Sequence, residues 1–144
     1  MVDDQLRVGH ERAHLRAERT LRAMYLEPLA RAARAGGGRW LDGDRPFLLL
    51  VDIKADGEAV YARLREQLAE YAWMLSSYSD GERRDGAVTV ILSGDRPRLA
   101  VANDAARLCA IDGPRSAIGR AGANSRPHCA SSSRPWSDAV KLRA

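Results

Sequence analysis

Apolar positions along the chain alternate with polar ones, or form short runs, at the spacing of β-strands. "QLRVG" alternates and predicts a strand from Gln5 to Gly9. Six of the seven residues from Phe47 to Ile53 are apolar, so a second strand, ending at Lys54, is expected to be buried on both faces. "AVTVILS", Ala87 to Ser93, predicts a third strand, and Cys109 to Asp112 a short fourth.

The clearest helical spacing runs from Glu58 to Leu75, where Asp56 is placed to cap the helix. An earlier helical segment follows Thr20 and is stopped by the glycines at 36–38, and Pro28 predicts a break into two short helices. The polar stretch "SSYSDGERRDG" reads as a loop, and a helical turn is predicted from Asn103 to Arg107. The apolar positions of the clearest helix recur at intervals of 4, 4, 3 and 4: Val60, Leu64, Leu68, Tyr71 and Leu75.

Strands that alternate with helices predict a parallel α/β sheet, because parallel neighbours need a crossover connection and helices supply it. Four strands are too few to close an eight-stranded β/α barrel, which typically takes roughly 250 residues. The chain of 144 residues is therefore expected to form either a small open sheet or part of a barrel.

The character of the sequence changes after Gly113. Between Pro114 and Pro135 the one branched aliphatic residue is Ile118, among Gly, Ala, Ser, Arg and Pro. Such a composition contributes little to a hydrophobic core. We therefore divide the chain into a folded domain, 1–113, and a low-complexity or disordered tail, 114–144. The alternative for the tail is a frameshifted stretch that is not authentic coding sequence.

Composition excludes several classes of protein. The net charge is +4, with 23 basic and 19 acidic residues well mixed, which does not predict a nucleic-acid binder. No apolar stretch reaches the length of a transmembrane span. Two cysteines, Cys109 and Cys129, make neither a disulfide framework nor a zinc site. Of the basic residues only Lys54 and Lys141 are lysines, which favours a functional role for Lys54.

Polar side chains stand where the predicted strands end. Alternation along the second strand places Asp52 and Lys54 on one face at its carboxyl end, the edge where α/β proteins build active sites. The other strands end at His10, Ser93 and Asp112. Each has a plainer interpretation as well: Asp52 and Lys54 as an ion pair, His10 as a solvated loop residue, and the last two as ordinary turn formers.

The motifs "LRVGHERAHLRAERTLRAMYLEPL" and "LLLVDIKADGEAVYARLREQLAEY", followed by "AVTVILSGDRP" and "AIDG", resemble the phospholipase C-like phosphodiesterases. Within that superfamily they are most similar to bacterial proteins of the altered inheritance of mitochondria protein 6 type, which are related to glycerophosphodiester phosphodiesterases. The resemblance extends from about Gln5 to Gly113. It implies a partial β/α barrel with roughly four of the eight parallel strands.

The resemblance also implies chemistry. It matches His10 to a catalytic acid/base histidine, Asp52 to an acidic ligand of a divalent cation, Ca²⁺ or Mg²⁺, and Lys54 to a lysine that reaches the phosphate. The implied substrate is a phosphodiester, either a small molecule or a lipid head group. A cation and a fixed ammonium group would stabilise the charge that develops on the phosphate oxygens, and histidine suits proton transfer near neutral pH.

The sequence departs from the family pattern in ways that bear on activity. Nothing resembles the family's first histidine or its Glu-x-Asp metal pair, Glu11 stands where aspartate is usual, and the late strands are not recognisable. We therefore expect little or no phosphodiesterase activity from the 144-residue chain by itself. Two other functions stay open: a Schiff-base lyase that uses Lys54 as nucleophile, and a non-catalytic α/β interaction module.

Overall fold

The computed structural model describes residues 5–9, 11–40, 45–112 and 140–143 of the chain. They form a five-stranded sheet, a smaller three-stranded sheet and helices. The strands are β1 (Arg7–Val8), β2 (Phe47–Ile53), β3 (Ser77–Ser79), β4 (Glu82–Arg84), β5 (Val88–Gly94), β6 (Ala106–Arg107), β7 (Cys109–Ile111) and β8 (Val140–Arg143). The helices are a 3₁₀ turn (Arg12–His14), a π-helical turn (Arg22–Leu26), α1 (Glu27–Ala35), α2 (Gly57–Ala69) and α3 (Arg98–Asn103).

The larger sheet has the strand order β1-β8-β2-β5-β7. Strands β2, β5 and β7 are parallel neighbours, and β8 also runs parallel to β2. The predicted α/β class and the parallel pairing of the second, third and fourth predicted strands are confirmed. Within the described residues the sheet ends at β1 on one side and at β7 on the other, so a closed barrel is not seen there.

Strand β1 departs from the all-parallel prediction. It pairs antiparallel with β8, and β8 lies between it and β2, so β1 runs opposite to β2. The crossover argument holds for parallel strands that pair with each other, and β1 does not pair with β2. The β8 strand falls in the predicted tail, although the division of the chain at residue 113 stays a prediction.

Two strands of the smaller sheet, β3 and β4, lie in the stretch that was predicted to be a loop. Strand β3 pairs with β4 and with β6, antiparallel in both cases. The turn between β3 and β4 consists of Asp80 and Gly81, whose φ angles are +53° and +79°. Positive φ at both central residues defines the type I′ turn that joins two-residue hairpins, and Asp-Gly is its usual sequence. The Asp-Gly pair in "SDGE" is therefore a hairpin-turn signal that was present in the sequence.

The first two predicted helical segments begin close to their predicted positions. Helix α2 starts at Gly57, but its regular part ends at Ala69, and i→i−3 hydrogen bonds such as Tyr71 N–H to Leu68 O carry the chain onward. Ahead of α1 the chain forms the π-helical turn, which ends at Leu26, two residues before Pro28. Proline has no N–H to donate to the fourth residue before it, so regular α-helical bonding is interrupted there. The predicted helical turn at 103–107 is wrong, since α3 ends at Asn103 and β6 follows.

The hydrophobic core lies on one face of the larger sheet. Leu49, Val51 and Ile53 of β2 belong to one buried cluster with Val60 and Leu64 of α2. The opposite face of β2 is less covered: Leu48 is 56% exposed and Leu50 is half-buried. The prediction that β2 is buried on both faces is therefore wrong at Leu48. No helix in the described part of the chain is long and apolar enough to cross a bilayer.

Candidate functional site

Asp52 and Lys54 lie together at the carboxyl end of β2, as the alternation of side chains predicted. Lys54 Nζ donates a hydrogen bond to Asp52 Oδ2 at 2.5 Å. The side chain of Lys54 is 27% exposed and that of Asp52 is 19% exposed, so the pair is partly withdrawn from water. An ammonium group held this way is fixed in position rather than free on its four-carbon stem.

Gly94, the last residue of β5, shapes the other side of the Asp52 carboxylate. Its φ is +72°, in the left-handed region that favours glycine. A Cβ atom at this position would overlap the carbonyl oxygen of Ile53 and Oδ1 of Asp52. Glycine at 94 therefore allows the carboxylate to lie directly against the backbone of the neighbouring strand. Gly94 was not predicted as a site residue, although a glycine directly after an apolar strand is a signal for a close backbone approach.

Asp95 ties this turn to the start of α2. Its backbone N–H donates to Ile53 O at 2.7 Å, and its Oδ2 accepts from the N–H of Gly57 at 3.1 Å. A Cβ atom at Gly57 would overlap Asp95 O, so the two segments are in close contact. Asp56 holds the N-cap position, but it has φ +54° and its side chain makes no capping hydrogen bond. The predicted capping role of Asp56 is therefore wrong, and Asp95 caps the first N–H of the helix instead.

Arg96 folds back onto the same turn. Its Nη1 donates to Gly94 O at 3.1 Å, while its Nε is buried and has no partner among the described residues. The residue is half-buried, and within the described ranges it forms no ion pair with a carboxylate. This arginine lies in the motif "AVTVILSGDRP", and no pattern in the sequence predicted a role for it.

The remaining predicted positions divide into described and undescribed ones. Ser93 pairs in register with Asp52 on the adjacent strand. Asp112 is exposed, and its N–H donates to Leu92 O at 2.8 Å. His10 lies outside the described residues, so its place beside Asp52 and Lys54 stays a prediction. Strand β1, which precedes it, runs opposite to β2: Val8 is level with Leu142 and hence with Ile53, and Arg7 lies nearer the carboxyl end of β2 than Val8 does. The premise that β1 and β2 end at the same edge of the sheet is therefore wrong.

A shallow depression of about 490 Å³ lies next to this turn, at the start of α2. Three carboxylates, those of Asp56, Glu58 and Asp95, contribute to its lining, together with Gly57, Ala59 and Pro97. Neither Asp52 nor Lys54 lines it. Because its charged residues are acidic, this depression does not suit a phosphate group, and we do not assign the site to it.

The described residues do not by themselves fit a divalent cation. No cluster of three or more His, Cys, Asp or Glu side chains with the arrangement of a metal site occurs among them. Asp52 offers one carboxylate, with Oδ2 bonded to Lys54 and Oδ1 against Gly94. Calcium usually takes six to eight oxygen ligands, and magnesium six, some of them water. We therefore derive no chemical step through a metal.

A second polar cluster, away from the strand ends of β2 and β5, stabilises the fold. Tyr61 OH donates to Asp104 Oδ2 at 2.8 Å, and Arg65 Nε lies 2.8 Å from the same oxygen. Burial is the main cause that raises the pKa of Tyr61 above its usual value, and it raises the pKa of the nearby Cys109 thiol to about 12. Both groups are therefore protonated at neutral pH, so Cys109 is an unreactive core thiol.

Comparison with known proteins gives one curated relative. The chain is 28% identical, over 130 residues, to the protein called altered inheritance of mitochondria protein 6 homolog in Arthroderma benhamiae. The aligned region covers 79% of this chain and 41% of the relative, so the chain spans about two fifths of the relative's length. No protein-family model and no solved structure matches the chain. The chain is thus similar to a protein of this name, as its motifs suggested, and the wider superfamily stays a prediction.

Proposed function

We propose that this chain carries the phosphate-binding part of a metal-dependent phosphoric diester hydrolase of the phospholipase C-like type, built on part of a β/α barrel. The observation that carries the proposal is the Asp52–Lys54 pair at the carboxyl end of a parallel strand. In barrels and open α/β sheets this edge is where substrates bind. The similarity to the fungal protein agrees with the proposal but does not name an activity.

In this proposal Lys54 contacts a non-bridging oxygen of the phosphodiester. Negative charge builds on these oxygens as a nucleophile attacks phosphorus, so a fixed ammonium group stabilises the transition state. Asp52 orients Lys54 through the 2.5 Å hydrogen bond. The contact of Asp52 with Gly94 limits the movement of the Asp52 carboxylate. Because the ammonium group is already held in place, less conformational entropy is lost when the phosphate binds.

His10 and a divalent cation complete the proposal. His10 would serve as general acid or base, and Ca²⁺ or Mg²⁺ would withdraw electron density from the phosphoryl oxygen when bound. Asp52 is the acidic ligand that the resemblance implies, but its Oδ2 is bonded to Lys54 and its Oδ1 lies against Gly94, so the described residues do not make a cation site. With a single candidate histidine and one carboxylate, we expect the chain alone to turn over phosphodiesters weakly or not at all.

The ion pair gives no support to the Schiff-base alternative. A lyase needs Lys54 as a free amine that can attack a carbonyl carbon, whereas here its Nζ donates to a carboxylate at 2.5 Å. We therefore rank the lyase below the phosphodiesterase. Borohydride trapping with a carbonyl substrate would reverse that order if it modified Lys54.

The proposal is tested by the binding of bis(4-nitrophenyl) phosphate to the 144-residue chain, measured by isothermal titration calorimetry with and without Ca²⁺ or Mg²⁺. We expect Lys54→Gln to weaken binding at least tenfold, while Arg31→Gln, which removes an exposed positive charge on α1, leaves it unchanged. Equal affinities for the wild type and Lys54→Gln, or no binding at all, would contradict the proposal.

Release of nitrophenol in the same solutions tests the expected lack of turnover. We expect a rate close to the uncatalysed background with either cation. Robust hydrolysis that is abolished by His10→Ala would show that the chain is a complete enzyme, contrary to our expectation.

A further inference from the structure

The strongest feature that the proposed function leaves unused is the guanidinium group of Arg96. It is the next charged group along the chain after Asp95, on the turn that follows β5. Its Nη1 bonds to the carbonyl of Gly94, the same residue that touches the Asp52 carboxylate. Asp52 in turn holds Lys54. Gly94 is therefore the residue that both cations share. Its carbonyl accepts a hydrogen bond from Arg96, and its Cα side lies against Asp52, which holds Lys54.

The Arg96 charge is also uncompensated within the described ranges. Lys54 is paired with Asp52, but no carboxylate pairs with Arg96 there, and the nearest acidic residue in sequence, Asp95, directs its Oδ2 to the Gly57 N–H. Leaving a partly buried cation without an anion costs free energy, more than for a neutral donor. A bound anion would remove that cost.

The arginine is held in place before any ligand arrives. The hydrogen bond to Gly94 and the burial of Nε fix the plane of the guanidinium, and Nη2 keeps its hydrogen-bonding capacity. A planar group with fixed donors suits the tetrahedral face of a phosphate better than a mobile chain would. The Nε–H of Arg96 is buried without an acceptor in the described part of the chain, and no structural role of the residue explains this.

We propose that Arg96 is a second cationic contact for the phosphate group, acting beside Lys54 across the turn formed by Gly94. This inference rests on the proposed function, since it assigns a further residue to the same phosphate. Arg96 would add a positive charge that the neutral Lys54–Asp52 pair lacks, while the carboxylates of Asp56, Glu58 and Asp95 line the neighbouring depression. The shared ligand chemistry is a phosphate mono- or dianion, whether soluble or in a lipid head group.

The test measures the affinity of the full chain for inorganic phosphate and for dimethyl phosphate at constant ionic strength. The variants are Arg96→Gln, Arg96→Lys, Lys54→Gln and the matched control Arg98→Gln, an exposed arginine two residues away in α3. Circular dichroism and thermal unfolding check that each variant is folded. We expect Arg96→Gln to weaken binding at least fivefold, Arg96→Lys to recover part of the loss, and Arg98→Gln to have no effect.

The outcomes separate this inference from the proposed function. If Lys54→Gln weakens binding while Arg96→Gln does not, the role of Arg96 is refuted and the phosphate site at Lys54 stands. If the wild type binds neither phosphate nor its diester, both proposals fail. Sedimentation with phosphatidylglycerol vesicles then distinguishes the source: binding to vesicles that depends on Arg96 indicates a lipid head group, and Arg96-dependent binding of the soluble diester alone indicates a small molecule.

Discussion

The carboxylate of Asp52 lies so close to Gly94 that a methyl group at position 94 would overlap its Oδ1 atom. Strands β2 and β5 are adjacent and parallel, with Asp52 opposite Ser93 and Ile53 opposite Gly94. The side chain that positions Lys54 therefore depends on a residue of the neighbouring strand that has no side chain of its own. Substitution at Gly94 should affect both the stability of the sheet and the geometry of the ion pair.

We predict that Gly94→Ala destabilises the chain more than Gly81→Ala does. Both glycines have similar positive φ, +72° and +79°, but a Cβ atom at Gly81 would meet nothing within 4 Å. The left-handed conformation alone costs an alanine about 1–2 kcal/mol, and overlap in a packed region adds about 1–3 kcal/mol. Urea denaturation measures both free energies of unfolding. If both variants lose the same free energy of unfolding, the overlap with Asp52 and Ile53 does not contribute to the destabilisation, contrary to this prediction.

The start of α2 provides a second prediction, because the capping carboxylate comes from Asp95 rather than Asp56. Asp95→Ala should lower the free energy of unfolding by about 0.5–2 kcal/mol, the usual cost of losing a helix cap. Asp56→Gly should not lower it, since the Asp56 side chain makes no capping bond and glycine accepts φ +54°. Thermal unfolding of the two variants compares them directly. The opposite order would return the capping role to Asp56.

Alkaline pH should destabilise the fold. Burial raises the pKa of Cys109 from 9.0 to about 12, and burial, with the hydrogen bond from Tyr71 to Glu27, raises the pKa of Tyr71 from 10.0 to about 12. Well below pH 9 both groups are protonated whether the chain is folded or unfolded, so their contribution is constant. Between pH 9 and 12 the unfolded chain releases these protons first, so the free energy of unfolding falls as pH rises.

Denaturant titrations between pH 8 and pH 12 check this prediction through the slope of the free energy of unfolding against pH. The slope should be shallower in Tyr71→Phe and in Cys109→Ala, even though both substitutions also lower stability at neutral pH by removing a contact or leaving a cavity. A pH dependence identical to that of the wild type in both variants would show that neither group is buried in its protonated form.

The parts of the fold that the sequence predicted are those that local pattern determines. The apolar run of β2 and the spacing of Val60, Leu64 and Leu68 in α2 need no knowledge of the neighbours, because side-chain periodicity follows from the backbone of each element. The ion pair was also predictable, since Asp52 and Lys54 are two residues apart on one strand. Their contact needs only an extended backbone.

The parts that were missed depend on residues far apart in sequence. Pairing of β1 with β8 joins Val8 to Leu142, and no local pattern encodes that choice of neighbour or its direction. The importance of Gly94 likewise arises from its contact with Asp52, some forty residues earlier on the neighbouring strand. The β3–β4 hairpin is a different case, because its Asp-Gly turn was visible in the sequence and the polar strands around it concealed the pattern.

The most direct measurement of the central claim uses the small number of lysines in the chain. Reductive methylation with ¹³C-formaldehyde keeps the positive charge and labels Lys54, Lys141 and the N-terminal amine, which give separate signals that Lys54→Arg and Lys141→Arg assign. Titration with phosphate at constant ionic strength should shift the Lys54 signal saturably, and chloride should not. If the Lys54 signal stays still, or moves equally with chloride, then Lys54 does not bind phosphate and the account is wrong.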